Sequence, residues 1–202
     1  GPDERLVVVS GPNQGGKTTF ARAVGQLHYL AALGLPAPGR DVRVGLVDAI
    51  HTHFEREEDL ATLTGKLEEE LVRIRTILAA ATPASLLVLN ESFASTSLVD
   101  ALAIGRDVLG RVRATGARCI FVTFLDELAV GPGVVSMTST VDLADPAIRT
   151  FRVVRRPADG RAFAEALARK HGLTEPELRA RLEGRRSEEH TSELQSRLHL
   201  VC

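Results

Sequence analysis

Short apolar runs and longer amphipathic stretches take turns along the chain. Leu6 to Ser10, "LVVVS", is rich in β-branched residues and stops at glycine, which predicts a buried strand. Lys17 to about Gly34 reads as a helix, ended by "GLPAPG", and residues 40–54 alternate weakly enough for a short strand or a loop. From about Glu58 to Ala81 the apolar positions Leu60, Leu63, Leu67, Leu71, Ile74 and Leu78 step by three or four, which stacks them on one helical face. Glu68, Glu69, Glu70, Arg73 and Arg75 fall mostly on the other and read as a solvated face. Pro83 ends that helix, and Leu86–Leu89 is a second fully apolar strand.

A helix from about Ser97 to Ala114 comes next, closed by Gly116. It leads to strand "CIFVTF", a turn through Asp126-Glu127, and two further strand candidates, "VVSM" and "RTFRVV". Arg161–His171 reads as a helix stopping at Gly172, and Thr174 with Glu177 three residues on forms a capping box for a last one. Strands alternating with helices predict an α/β fold with a largely parallel sheet. With neither internal repeats nor long low-complexity linkers, residues 1–185 read as one domain.

Composition changes this picture only at the ends. A chain of 202 residues, 44% hydrophobic and 25% charged, has room for one sizeable core, and a net charge of −1 supplies no global attraction for nucleic acid or membrane. No apolar run approaches the ~20 residues that span a bilayer, and with Cys119 and Cys202 far apart a reducing cytoplasm is expected. Cys119, within "RCIFVTF", reads as a small buried apolar residue. The chain opens on Gly1-Pro2 close to its first strand, so missing upstream sequence is expected. Residues 186–202, "RSEEHTSELQSRLHLVC" with its initial Arg186, resemble a translated sequencing adapter more than a natural tail.

The strongest chemistry lies in "GPNQGGKT", Gly11 to Thr18, which fits G-x-x-x-x-G-K-[ST] directly after a strand and before a helix. Glycines let successive backbone N–H groups turn inward toward phosphate oxygens, and the positive end of the following helix adds to that field. Lys17 can reach the β- and γ-phosphates of a nucleotide, and the Thr18 hydroxyl is placed to ligate magnesium. The second candidate is Asn90-Glu91. Ligands of such sheets sit off the carboxyl ends of the strands, so Glu91 is expected to face the nucleotide and to orient or deprotonate an attacking water. Asn90 can offer its carbonyl oxygen to magnesium but brings no charge.

Four motifs in order, "GPNQGGKTT", "LVLNES", "STSLVDAL" and "FVTFLDELA", resemble the ATPase domain of the MutS family of DNA mismatch-repair proteins, over roughly residues 5–183. The resemblance implies a P-loop fold of the ABC-ATPase type, with ATP and Mg2+ as cofactors. It implies that Gly11, Pro12, Asn13, Gln14, Gly15, Gly16, Lys17, Thr18 and Thr19 bind the ATP phosphates. Glu91 and Lys17 are then catalytic, and Thr18 and Asn90 hold the metal. It also implies a homodimer formed through the ATPase domains. Thr96 and Ser97, in the signature loop, reach the nucleotide of the partner subunit, and DNA is held by regions absent from this chain.

A reading from the residues alone leaves Ser95 or Thr96 as the cap of its own helix. Four positions depart from the family: Asn90 where Asp is usual, Phe93 and Ala94 where the lead into the signature loop is glycine-rich, and Phe124 where a switch histidine is usual. Each removes a polar contact or backbone freedom, so slow turnover is expected, ~10²-fold or more if both polar changes matter. An ATP-gated dimerisation or scaffold module with little hydrolysis is the alternative, and a P-loop kinase acting on a small molecule fits less well. His51 and His53 could share one face of a strand as metal ligands. Asp126 and Glu127 could be surface turn or functional, and Arg155-Arg156 reads as a solvated pair.

Overall fold

The computed structural model describes residues 4–54, 65–93, 95–142, 148–158, 173–175 and 179. Six strands form one sheet: β1 (Leu6–Ser10), β2 (Ile50–His53), β3 (Leu86–Asn90), β4 (Arg118–Val122), β5 (Val134–Val141) and β6 (Arg149–Arg155), in the order β2-β3-β4-β1-β5-β6. The first five are parallel, with Leu6 opposite Cys119 and Val134, and Ile50 opposite Leu86. Only β6 runs antiparallel, against β5. Every residue of β3 is buried, as expected of a strand covered on both faces. The described helices are α1 (Lys17–Ala32), α2 (Lys66–Ala80) and α3 (Leu98–Thr115), with a single 3₁₀ turn at Asp126–Ala129.

Two apolar clusters sandwich the sheet. Val9, Leu86, Val88, Ile120 and Val122 pack with Ala21 of α1. The larger cluster, on the α2 and α3 side, includes Leu6, Val8, Ile74, Ile77, Leu87, Leu89, Phe93, Val112 and Phe121. By Cα proximity the chain groups into two compact units, residues 1–141 with 149–161, and residues 142–148 with 162–202. All six strands and three helices belong to the first. In the second, Arg179 pairs with Glu175 one turn earlier. Among the described residues no helix is long and apolar enough to cross a membrane.

Among the described residues the strand and helix expectations hold with three local corrections. The buried face of α2 is set by Glu70, Ile74 and Ile77, whereas Leu71 is exposed. Glu70, expected on the solvated face, is therefore inside. Ser97 itself caps α3, accepting from the Asp100 N–H at 3.2 Å and donating to the Asp100 carboxylate at 2.7 Å, in place of Ser95 or Thr96. Strand β5 runs to Val141, well past "VVSM". Residues 58–64 of the expected long helix, Ala94, the helix Arg161–His171, Glu177 of the capping box and the tail 186–202 lie outside the described residues.

Candidate active site

The loop between β1 and α1 is shaped by contacts that forbid side chains. Gly11 has a φ of 106°, and a Cβ on it would stand 2.7 Å from Ser139 Oγ; one on Gly15 would stand 2.5 Å from the same atom. Ser139, fully buried in β5, presses against the loop and donates weakly to the carbonyls of Ser10 and Pro12 at 3.4 and 3.5 Å. On the outer side Arg149, the first residue of β6, donates from Nε to the Asn13 carbonyl at 3.1 Å. Asn13 and Gln14 are exposed, with Gln14 in the left-handed region at a φ of 60°. Gly16, at a φ of 88°, stands at the N-cap of α1 and has no side chain with which to cap this 16-residue helix. Uncapped N–H groups at the carboxyl edge of a parallel sheet leave a partial positive charge to be met by an anion.

Lys17 is the buried cation of the site. Its ammonium donates to the carbonyls of Gly11 (2.8 Å) and Pro12 (3.0 Å), and at 3.4 Å to Asn13 Oδ1. Burial lowers its pKa, while the carboxylates of Glu91 and Asp126 act in the opposite direction and Arg149 adds to the lowering. Glu91 and Asp126 thus belong to the electrostatic surroundings of Lys17. Thr18 is half-buried and Thr19 exposed.

Asn90 ends β3 inside the protein, opposite Val122 of β4. Its Oδ1 atom is buried and has no hydrogen-bond partner among the described residues. A buried amide oxygen without a donor is costly unless a cation or water meets it, so this atom suits a hard metal ion. Directly after it, Glu91 (φ 50°) and Phe93 (φ 69°) both adopt left-handed backbone, a strained conformation costing ~1 kcal/mol or more per residue. Two hydrogen bonds hold the turn: the Glu91 N–H donates to the Val122 carbonyl at 2.9 Å, and the Phe93 N–H donates to the Glu70 carboxylate at 3.0 Å. The Phe93 ring is locked into the larger core cluster.

The sequence-expected residues therefore separate into groups. Lys17, Glu91 and the glycine loop gather at the carboxyl edge of the sheet, with Asn90 buried at the end of its strand there. Thr96 is half-buried, and the Ser97 hydroxyl is engaged in its own helix. Phe124 is 45% exposed just past β4. Asp126 joins the surroundings of Lys17 while Glu127 is exposed. Arg156 is half-buried and Arg155 pairs with Glu4.

His53 is buried and its pKa is pushed down to about 4, first by burial and then by the charge of Arg73. It stays neutral at neutral pH, and among the described residues no group of three His, Cys, Asp or Glu side chains gathers as a metal site. Cys119 is buried, with its thiol pKa raised by burial, and is inert as a nucleophile. Sequence reading missed Ser139, Arg149 and Glu70. A separate apolar cleft of about 350 Å³ runs along α1, lined by Ala21, Gly25, Tyr29, Ile50 and Val88, with Arg22 over the Phe54 ring at its edge.

A family model for MutS domain V matches residues 7–173. The chain belongs to the MutS family. DNA mismatch repair protein MutS of Chloroflexus aurantiacus is 29% identical over 164 residues, 80% of this chain and 16% of the relative. DNA mismatch repair protein MutS 2 of Halobacterium salinarum is 31% identical over 179 residues, covering 86% of this chain and 21% of its own length. DNA mismatch repair protein msh3 of Botryotinia fuckeliana reaches 37% over 130 residues, 63% of this chain and 12% of the relative. The chain thus spans about a fifth or less of these curated relatives. Glycine loop, Asn90-Glu91 turn, Thr96-Ser97 and Phe124 all fall inside the region matched by MutS domain V.

Proposed function

We propose that this MutS domain binds and hydrolyses ATP, driving changes in a DNA-repair or recombination protein whose DNA-holding parts lie outside this chain. The observation that carries the reading is the geometry at Lys17: a buried ammonium held by the Gly11 and Pro12 carbonyls inside the glycine loop, at a helix start with no side-chain cap, with the carboxylates of Glu91 and Asp126 in its electrostatic surroundings. Gly11 to Thr19 hold the phosphates, with backbone N–H groups donating from every residue but Pro12, and Lys17 exchanges its loop carbonyls for phosphate oxygens. Glu91 orients the attacking water and accepts its proton. Thr18 and Asn90 would hold Mg2+, which would supply charge to neutralise the phosphates; the buried, donorless Asn90 Oδ1 supports that assignment. Two such domains pair, with Thr96 and Ser97 reaching the partner's nucleotide, and Ser97 gives up its bond to Asp100 to do so. A buried free thiol at Cys119 accords with a cytoplasmic setting.

A second reading is favoured by Asn90 and Phe124: an ATP-gated dimerisation module that hardly turns over. The amide of Asn90 brings no charge to a metal where an aspartate would, and the exposed Phe124 ring offers no hydrogen bond to the γ-phosphate where a histidine would. Phosphate release measured beside nucleotide binding separates the two. Glu91→Gln is expected to lower release ~10²-fold while leaving ATP affinity nearly unchanged, since it removes a proton acceptor and leaves the phosphate loop intact. Tight binding with negligible release, indifferent to Glu91→Gln, would establish the scaffold instead.

A further inference from the structure

Glu70 is a buried acid that the phosphate-binding machinery does not use, and its place in the fold is specific. It lies on α2 between the apolar contacts Leu67 and Ile74, 7% exposed, where the helix meets the turn after β3. Its carboxylate accepts the N–H of Phe93 inside the protein at 3.0 Å. That N–H has no strand or helix partner available, because the chain leaves β3 through a turn with left-handed backbone at both Glu91 and Phe93. Glu91 is thus held from two sides: its own N–H is anchored on β4 at Val122, and the residue two further on is anchored by Glu70 and by burial of the Phe93 ring. Relaxation of either φ toward ordinary values would break the path of the turn that carries Glu91.

We propose that Glu70 is a positioning residue for the ATPase reaction, clamping the Glu91–Phe93 turn so that the Glu91 carboxylate faces the nucleotide site. The inference rests on the hydrolytic role of Glu91 proposed above. It reaches beyond that role, because Glu70 is on a different helix and touches neither phosphate nor metal. An acceptor is what the turn requires, so Gln at this position retains the clamp through its amide oxygen and Ala removes it.

The test compares Glu70→Ala, Glu70→Gln, Glu91→Gln and the double variant Glu70→Ala/Glu91→Gln in the full 202-residue chain. Steady-state phosphate release, nucleotide affinity and amide exchange are measured on each. Glu70→Ala is expected to lower kcat ~10-fold or more with ATP affinity within about twofold of the parent, because a misaimed general base costs rate and not binding. Glu70→Gln recovers most of the rate, and Glu70→Ala adds nothing once Glu91 is already Gln.

A Glu70→Ala rate within about twofold of the parent, a Glu70→Gln rate as low as that of Ala, or effects that multiply in the double variant would each overturn the proposal. Failure of the hydrolysis reading itself looks different: no release from the parent and no response to Glu91→Gln. Amide exchange decides the clamp even then. With Glu70→Ala the amides of 91–93 are expected to exchange ~10-fold faster while those of β3 keep their protection. Unchanged exchange there sinks the clamp, and so does loss of protection throughout β3, which would make Glu70 a general packing residue. Should Glu70→Ala fail to fold, Glu70→Gln carries the same test through its rate and its exchange at 91–93.

Discussion

Asn90 presents the sharpest choice at the level of single residues. An amide oxygen buried without a donor is a standing cost, and replacing it by a carboxylate makes that cost larger unless a cation arrives. Asn90→Asp is therefore expected to lower stability by ~1–3 kcal/mol in chelator and to recover it with Mg2+ and nucleotide. The Mg2+ concentration for half-maximal phosphate release should fall at least about threefold, since on the proposed assignment the added charge would sit against the metal. Thermal melts with and without Mg2+, beside a magnesium titration of turnover, read both effects; an unchanged magnesium requirement would remove Asn90 from the metal's surroundings.

The glycine loop and Glu91 were legible in the chain because fixed spacing encodes a backbone shape. Ser139, Arg149 and Glu70 were not, because each acts across a gap in sequence that only folding closes. Ser139 meets a loop 127 residues away, and Glu70 meets Phe93 across 23. Glu70 also sits in a run of three glutamates, where Glu68 and Glu69 are exposed and hide the one that is not.

Among the elements, α2 explains how a correct helix can be given the wrong face. Leu67, Leu71, Ile74 and Leu78 make one stripe and Leu67, Glu70, Ile74 and Ile77 an adjacent one, and hydrophobicity alone favours the first. The second wins because Glu70 has an N–H to accept, which makes an acid at a core position tolerable. Strand β5 was read short because Thr138, Ser139 and Thr140 look polar; two of them are buried against β1 and the loop.

Helix α3 carries the element-scale prediction, through two glycines in its interior. A Cβ at Gly105 would stand 2.7 Å from Leu128 Cδ1, whereas one at Gly110 would meet nothing within 4 Å. Gly110→Ala is expected to stabilise the fold by ~0.5–1 kcal/mol through helix propensity alone. At Gly105 the same gain is set against displacement of a buried leucine, so Gly105→Ala should fall below Gly110→Ala in denaturant melts. Equal gains at both positions would show that α3 and the 3₁₀ turn are less closely packed than their geometry indicates.

For the whole molecule, strand order is what turns separate motifs into one site. β1 lies between β4 and β5, so the loop after β1, the turn after β3 and the segment after β4 all open on the same edge. Alternation of strands and helices told of a parallel sheet, but not of this order, which depends on pairings between residues as distant as Leu6 and Val134. The proposed pairing of two domains across that edge would make a further demand. The first turn of α3, next to Thr96 and Ser97, carries Leu98 at 57% and Val99 at 75% exposure, apolar groups that water does not favour.

If nucleotide draws two copies together there, these side chains become buried in the contact, and a charge on either is unpaired at the interface. Val99→Glu is a clean probe, because an acid in the first turn of a helix suits the dipole and should leave the monomer's melting temperature within about a degree or two. With ATP and Mg2+, light scattering is expected to report a dimer for the Glu91→Gln protein. The same measurement should report a monomer, or a dissociation constant at least about tenfold weaker, once Val99→Glu is added. Dimers of undiminished affinity would move the contact away from α3 and take Thr96 and Ser97 out of reach of a partner's phosphate. No dimer in either protein would leave those hydroxyls to their own helix.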